Sequence, residues 1–474
     1  MASLPPGGGA AKAFMAPGAL VPVPGPDPGE AALWRASRDG FDLYYAPGCL
    51  CVVPSPQATA FEAGLALTGA PEGRWAGELW RRAARARATS ARPEPPFRPE
   101  CLTLYLHDEC NQGCTYCYAH PRSGRSVRLD PGAVVAAADL VAANCQALGR
   151  SMTAVFHGGG EPSLYPEEVD ELLDLVAGAA GRHAVGLFRY VATNGSLSAE
   201  GARWLARRFD LVGLSCDGPA DIHDAQRPGR DGCGTLQAVE RTARTLRAEG
   251  ARYHVRATIT PAGLGRQDEI AAYICQHLAP EELRFEPVYG GGRSVLGAGD
   301  APAFVAGLMA ARQVAAGYGV PLTTSGCRLG AIHGPYCHVF RQVLNLLPDG
   351  LAGPAVATAC FMDSTAGQAR RRGTAIDVQD GETGQFAVDG GRVEALRACL
   401  APLPKGCAAC FNRFHCARGC PDACPLDGRG PEEAVFRCQA SRSLAAALLA
   451  EAAEALWSEV LAGEATVPHG CLLP

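Results

Sequence analysis

Cys110-Asn-Gln-Gly-Cys114-Thr-Tyr-Cys117-Tyr118 follows directly on a strand-like run, Leu102-Thr-Leu-Tyr-Leu106. Three thiols at C-x3-C-x2-C spacing in one tight loop can face a single point. A [4Fe–4S] cube has four irons, so three protein ligands would leave one iron open to something else. The same thiols could instead serve a zinc site, a disulfide framework or a reactive redox pair. Zinc takes four ligands, commonly from two paired knuckles, and no fourth partner lies close to this trio in the sequence.

Composition narrows the setting. At 474 residues, 47% hydrophobic and 19% charged, the chain has ample material for a large globular core. A net charge of −5 and a pI near 6.1, with no dense basic run, disfavour nucleic acid as the main partner. Arg81-Arg-Ala-Ala-Arg-Ala-Arg87 reads as the polar side of a helix. The 21 cysteines would mean disulfides in a small secreted protein. Here the start lacks a basic segment followed by an apolar core, so a reducing cytoplasm with metal-bound thiolates is expected. Residues 1–30, rich in Gly, Pro and Ala, are expected to be disordered. No stretch is expected to approach the apolar length needed to span a bilayer. The closing Cys471-Leu-Leu-Pro474 has an atypical end for a prenylation box and reads as a frayed tail.

Residues 31–98 read as a small, separate α+β module. Phe41–Tyr45 and Leu50–Val53 suggest a hairpin, helices follow around Phe61–Leu67 and Glu78–Ala88, and Arg92–Pro99 is a stiff linker. From 99 to 320 strand and helix alternate. Strands are expected at Leu102–Leu106, Thr153–His157, Leu187–Ala192, Leu211–Ser215, Tyr253–Ile259 and Leu283–Pro287, with helices such as Pro131–Leu148, Glu167–Ala180, Leu197–Arg208 and Leu236–Ala248 between them. Six βα repeats predict a parallel sheet curled into a partial barrel, in which chemistry collects at the carboxyl ends of the strands. The unusual motifs stand there: the cysteine loop after the first strand, Gly158-Gly-Gly-Glu-Pro162 after the second, Thr193-Asn-Gly195 after the third, and Ser215-Cys-Asp-Gly-Pro219 with His223, Asp224 and Arg227 after the fourth. A Gly run in isolation marks only a tight turn. Residues 321–445 are cysteine-rich, and 446–474 read as a closing helix and tail.

The cysteine loop resembles, residue for residue, the motif of radical S-adenosylmethionine (SAM) enzymes. The later motifs resemble that superfamily's GGEP, its TNG turn, and the S-x-D-G-P…H-D-x-x-R pattern of its SPASM branch. The resemblance implies an α/β fold, a partial (β/α)6 radical SAM barrel with a C-terminal cysteine-rich SPASM domain binding auxiliary iron–sulfur clusters. It implies that Cys110, Cys114 and Cys117 hold a [4Fe–4S] cluster whose open iron binds SAM. Tyr116 would lie against the adenine, and Gly159, Gly160 and Glu161 would hold the methionyl amino group. Ser215 and Arg227 would contact SAM, a guanidinium being a good partner for the methionyl carboxylate. Asp217 would bind ribose or brace its turn. Leu283 would line the adenine pocket or be structural.

Cys407-x2-Cys410-x5-Cys416-x3-Cys420, with Cys438 downstream, matches the SPASM pattern. By the same resemblance Cys407, Cys410, Cys416 and Cys438 would hold one auxiliary [4Fe–4S] cluster. Cys420 would cross over to another with Cys360, Cys337 and Cys327; a crossing fourth ligand also occurs in two-cluster ferredoxins. The stretch from Gly350 to Cys360 is longer than the family's G-x4-C, which leaves Cys327 either a ligand or the neighbour of an open iron. Two structural zinc sites would use the same thiols.

These resemblances imply three [4Fe–4S] clusters and SAM as cofactors, reduced by a donor such as flavodoxin or ferredoxin. A 5′-deoxyadenosyl radical would remove a hydrogen from a peptide side chain, which is then oxidised. Two enzyme readings follow. One is a maturase of a ribosomally made precursor peptide, forming a thioether or a C–C or C–X crosslink. The other is an anaerobic sulfatase maturase, which makes formylglycine from Cys or Ser. In the latter an Asp directly follows the last upstream auxiliary cysteine. Here Phe361 follows Cys360, with Asp363 the nearest acid and a candidate proton acceptor. An iron–sulfur electron carrier without SAM chemistry is the third reading.

Overall fold

The computed structural model describes residues 15–23, 32–66, 74–90, 94–117, 128–288, 295–330, 332, 338–348, 356–358, 377–379, 386–400, 407, 410–416 and 436–473. Five strands form the first sheet. Four come early: β1 (Val21–Pro22), β2 (Trp34–Ser37), β3 (Phe41–Ala46) and β4 (Cys49–Pro54), all antiparallel to their neighbours. β3 and β4 are the expected hairpin, turned at Gly48 with φ +80°. Neither strand alternates apolar with polar, because both faces are covered. The helix Arg74–Ser90 packs against β3 and β4, and the helix Phe436–Leu461 also packs against β4.

The second sheet has nine strands. Its centre is β5 (Cys101–Leu104), β6 (Met152–Phe156), β7 (Leu187–Thr193), β8 (Leu211–Ser215), β9 (Tyr253–Ile259) and β10 (Leu283–Pro287), paired in sequence order and all parallel. The repeats feed helices along the sheet in the expected alternation. The helix Pro131–Leu148 begins where the Asp130 carboxylate accepts from the Ala133 amide at 3.0 Å and ends at left-handed Gly149. Along β6, Met152, Ala154 and Phe156 face the helices and are fully buried. Thr153, Val155 and His157 take the opposite face.

The sheet runs past residue 320, where a domain boundary was expected. β11 (Leu322–Thr323) adds parallel to β10, β12 (Val343–Leu347) adds parallel to β5, and β13 (Val356–Thr358) adds antiparallel to β12. The order β11-β10-β9-β8-β7-β6-β5-β12-β13 is open, so the barrel is partial. β14 (Asp377–Gln379) and β15 (Phe386–Val388) form a separate two-stranded antiparallel sheet.

Four expectations are corrected. Residues 15–23, expected to be disordered with the rest of 1–30, include β1, and Met15, Leu20 and Val23 are buried. The tail is not frayed: β16 (His469–Leu472) pairs with β4, Cys471 opposite Leu50, completing the first sheet. The 31–98 region is therefore not separate. Its sheet takes its last strand from the C-terminal segment, and Phe41 stacks on Trp457 at 5.1 Å. Lastly, the helix Pro131–Leu148 is long and apolar enough, by length and composition, to cross a membrane. Its alanines raise the hydropathy while staying small enough to pack, and Val134, Ala138, Val141 and Cys145 are buried inside the fold.

Candidate active site

A cavity of about 240 Å³ lies at the carboxyl ends of the barrel strands. It is lined by Cys110, Cys114, Cys117 and Tyr116 after β5, by Gly158–Glu161 after β6, by Thr193 and Asn194 at the end of β7, and by Ser215 and Arg227 from β8 onward. Residues spread over more than a hundred positions thus meet in one place.

The cysteine loop is clamped from two sides. On one, Gly113 N donates to Pro228 O at 2.8 Å and Thr115 N to Gln226 O at 2.9 Å. On the other, Gln112 Nε2 donates to Ser196 Oγ at 2.7 Å and Asn194 Nδ2 to Asn111 Oδ1 at 2.7 Å. Asn194 Nδ2 also reaches Cys110 Sγ at 3.6 Å. Burial pushes the Cys110 thiol up and the Cys114 thiol up to about 12. Loading a metal here must therefore release protons.

The glycine loop is set by steric necessity. Gly158 and Gly159 have φ of +82° and +74°. A Cβ on Gly160 would stand 1.9 Å from Glu109 O and 2.6 Å from His107 Nδ1. The turn thereby runs against the segment leading into the cysteine loop, and Glu161 N donates to Glu109 O at 2.7 Å. The Glu161 carboxylate is buried. Its Oε1 accepts from Ser163 N, Ser163 Oγ and Thr193 Oγ1 at 3.2, 2.6 and 2.8 Å, and its Oε2 accepts from Asn194 N at 2.7 Å. Oε2 keeps a lone pair for a further donor. Burial raises the Glu161 pKa.

Asp217 and Leu283 do not line the cavity. Asp217 is fully buried. Its Oδ2 accepts from Tyr116 OH at 2.6 Å, Arg227 Nε at 2.9 Å and Gln226 Nε2 at 3.1 Å, and its Oδ1 from Thr258 N at 2.9 Å. Of its two expected alternatives the geometry fits the brace, with the carboxylate consumed in orienting Tyr116 and Arg227. Arg227 lies over the Tyr116 ring at 5.3 Å; burial is the largest single influence on its charge and works against it, but Asp217, Tyr116 and Cys114 together hold its pKa up. Leu283 opens β10 at its amino end, paired with Val255 and Leu322 and fully buried. The same strand reaches the cavity with Glu286 and Pro287 at its carboxyl end.

Sequence reasoning missed Gln112, His157, Arg256, Thr258, Glu286 and Ser325, all of which line the cavity. A signal existed for some. His254, Arg256 and Thr258 alternate with buried Val255, Ala257 and Ile259, the mark of a strand whose inner face is polar. Burial, then Arg256 and His338, hold the His157 pKa down to about 3.

In the cysteine-rich region, Cys327 is buried within the electrostatic reach of Cys416. Ser441 ties the two loops, donating to Gly326 O at 2.8 Å and accepting from Asn412 Nδ2 at 2.8 Å. Tyr45 OH from β3 bonds His415 Nε2 beside Cys416. Cys407, Cys410, Cys416 and Cys438 are half-buried, with no disulfide among the described cysteines. Cys337, Cys360, Cys420 and Asp363 lie outside the described residues. Among the described residues no three His, Cys, Asp or Glu side chains converge on a single metal ion. The three thiols of the first loop instead border one shared cavity with Tyr116 and the glycine turn, an arrangement that suits a body larger than one ion. They fit a [4Fe–4S] cluster with room beside it for SAM.

Residues 104–274 match the Radical SAM superfamily. The chain is 30% identical over 156 residues to the cysteine-type anaerobic sulfatase-maturating enzyme of Clostridium perfringens, a stretch that spans 32% of this chain and 41% of that relative. The fold matches the structure of anSMEcpe with bound AdoMet at a TM-score of 0.57 and 18% identity, covering 75% of this chain and 100% of the other. The match to anSMEcpe with bound AdoMet and the Cp18Cys peptide has a TM-score of 0.58, at 18% identity over 75% of this chain and 99% of the other. Residues 104–274 are thus similar to the Radical SAM superfamily, and the fold is shared with anSMEcpe.

Proposed function

We propose that this chain is a radical SAM enzyme that oxidises a side chain of a peptide or protein. One observation carries the reading: the motifs at the ends of four successive strands converge on a single cavity around Cys110, Cys114 and Cys117. When bound, the cluster and SAM supply a 5′-deoxyadenosyl radical. The three thiolates would hold the cluster, and Glu161 Oε2 would accept from the methionyl ammonium. Tyr116, pinned by Asp217, would offer its ring to the adenine. Ser215 and Arg227 would meet the polar end of SAM. The polar inner faces of β9 and β10 leave Arg256 and Glu286 to face a substrate.

The finer reading is crosslinking of a ribosomally made peptide, with Cys327 and the Cys407–Cys438 group holding auxiliary clusters that take up the substrate's electron. It is supported by Phe361, which stands where the sulfatase maturases place their acid. A second reading, formylglycine formation, is supported by the likeness to the Clostridium perfringens enzyme. Both readings call for a reducing setting, as the cytoplasm provides, and a one-electron donor of the flavodoxin or ferredoxin type.

Anaerobic reconstitution with iron and sulfide, followed by SAM and dithionite, tests the core claim. We expect 5′-deoxyadenosine from the native chain and none above background from Cys114→Ala. About twelve irons per chain would support three cubes, whereas about four would remove the auxiliary assignment. A product reactive to hydrazide marks formylglycine; loss of two hydrogens without a carbonyl marks a crosslink.

A further inference from the structure

A second cavity, of about 220 Å³, opens where the partial barrel does not close, between β11 at one edge and β12 near the other. Its wall carries Arg256, Arg284, Arg328, Arg341 and His338, against one carboxylate, Glu286. Two of these side chains, Arg256 and Arg328, keep donors that no described residue takes up. Arg284 is spent as a fork on Glu282, at 3.0 and 2.9 Å. Glu286 has both oxygens engaged by Ser325, through N at 2.9 Å and Oγ at 2.6 Å. Arg256 stands 3.9 Å from Glu286, the outer limit of an ion pair, and its buried Nε has no hydrogen-bond partner among the described residues. Arg328 is exposed at the rim and makes no ion pair or hydrogen bond among the described residues.

A guanidinium donor buried without an acceptor is costly, and converging cations repel one another. Both effects are relieved by an anion with flat, paired acceptors, which suits the guanidinium fork. The hydroxyl of Thr324 on the same wall can donate to it as well, whereas that of Thr323 is given to Glu282 at 2.6 Å. His338 on this wall is a neutral imidazole at neutral pH and adds no charge. Burial first, with Arg341 adding to it, holds the His338 pKa down to about 4. The position matters as much as the charge. Arg256, Glu286 and Ser325 line this cavity and the cysteine-loop cavity alike, so a group anchored in the gap delivers its neighbours to the reacting side.

We propose that the arginine-lined gap binds a carboxylate of the peptide substrate and so selects which neighbouring side chain enters the cysteine-loop cavity. This rests on the peptide-modifying reading above. The carboxylate is either an acidic side chain or a free C-terminus.

The test uses the reconstituted full chain with SAM and fluorescein-labelled peptides. One is Ala-Gly-Ala-Glu-Ala-Gly-Ala with an amidated end; the second has Gln for Glu; the third has Gln and a free C-terminal carboxylate. Anisotropy at low salt should show the Glu peptide or the free-acid peptide binding about tenfold tighter than the neutral one, with the preference shrinking as salt rises. Which acidic peptide wins names the source. Arg328→Glu, at the exposed rim, should abolish or invert the preference, and its melting curve reports whether it folds. Equal binding of all three peptides by the native chain, or an unchanged preference in a folded Arg328→Glu, overturns the proposal. The native preparation is also assayed for 5′-deoxyadenosine. Its formation without a charge preference sinks the gap alone; its absence sinks the radical SAM reading.

Discussion

At the scale of single residues, the site depends on atoms that are not there as much as on those that are. The missing Cβ of Gly160 lets the glycine turn lie against Glu109 and His107. The atoms it would strike belong to backbone and to a ring held in place, so neither can yield cheaply. Gly160→Ala should lower stability by about 1–3 kcal/mol, the range for overpacking, and weaken SAM binding at least tenfold. Equilibrium dialysis of SAM against the reconstituted variant checks this; native-like affinity would show that the turn can shift. Asp217 shows the converse. From the sequence it could be a ligand of ribose or a brace, because the motif places it beside SAM contacts in either case. Only the fold reveals that Tyr116, Gln226, Arg227 and the Thr258 amide exhaust its oxygens. Leu283 misled for a simpler reason. A motif fixes a strand's identity but not which end of it reaches the cavity.

At the scale of elements, the central strands were legible because each is a short apolar run between a helix and a turn signal. β8, β9 and β10 have the same bounds in sequence and structure. What escaped was pairing between distant segments. β16 is four residues of ordinary sequence, and nothing local says that β4 is its partner. Its role is nevertheless physical: it covers the edge of β4, whose unpaired backbone groups would otherwise be a template for other chains. Deleting residues 466–474 should lower the melting temperature by several degrees and produce larger species in size-exclusion chromatography. A monomer with unchanged melting would show that the strand is dispensable.

At the scale of the molecule, the barrel interior and its surroundings bury imidazoles. Burial is the main cause that lowers His107, His223, His254 and His338 to about 4 and His157 to about 3. In the unfolded chain each returns to about 6.5. Between those values the unfolded state binds more protons, so stability rises with pH. The stabilisation is complete above about pH 6.5 and is lost as pH falls toward 4, at up to about 1.4 kcal/mol per pH unit for each histidine. Thermal melting across pH 4.5–8 should show a plateau above pH 7 and a steep fall below pH 6, shallower in His254→Gln. A flat profile would mean that these rings stay solvated. The same whole-molecule view decides the fate of the N-terminal region. Its sheet is bound to Trp457, His415 and Leu329 rather than held on a linker. Sequence alone determined the repeat, the strand-end placement of the motifs and the cysteine groups, because these depend on periodicity and spacing within a few tens of residues. Tertiary structure alone decided which motif residues face the cavity, which are consumed as braces, and that an arginine-lined gap adjoins it. Those facts depend on the direction of side chains across a curled sheet and on contacts between segments hundreds of residues apart, and local pattern carries neither.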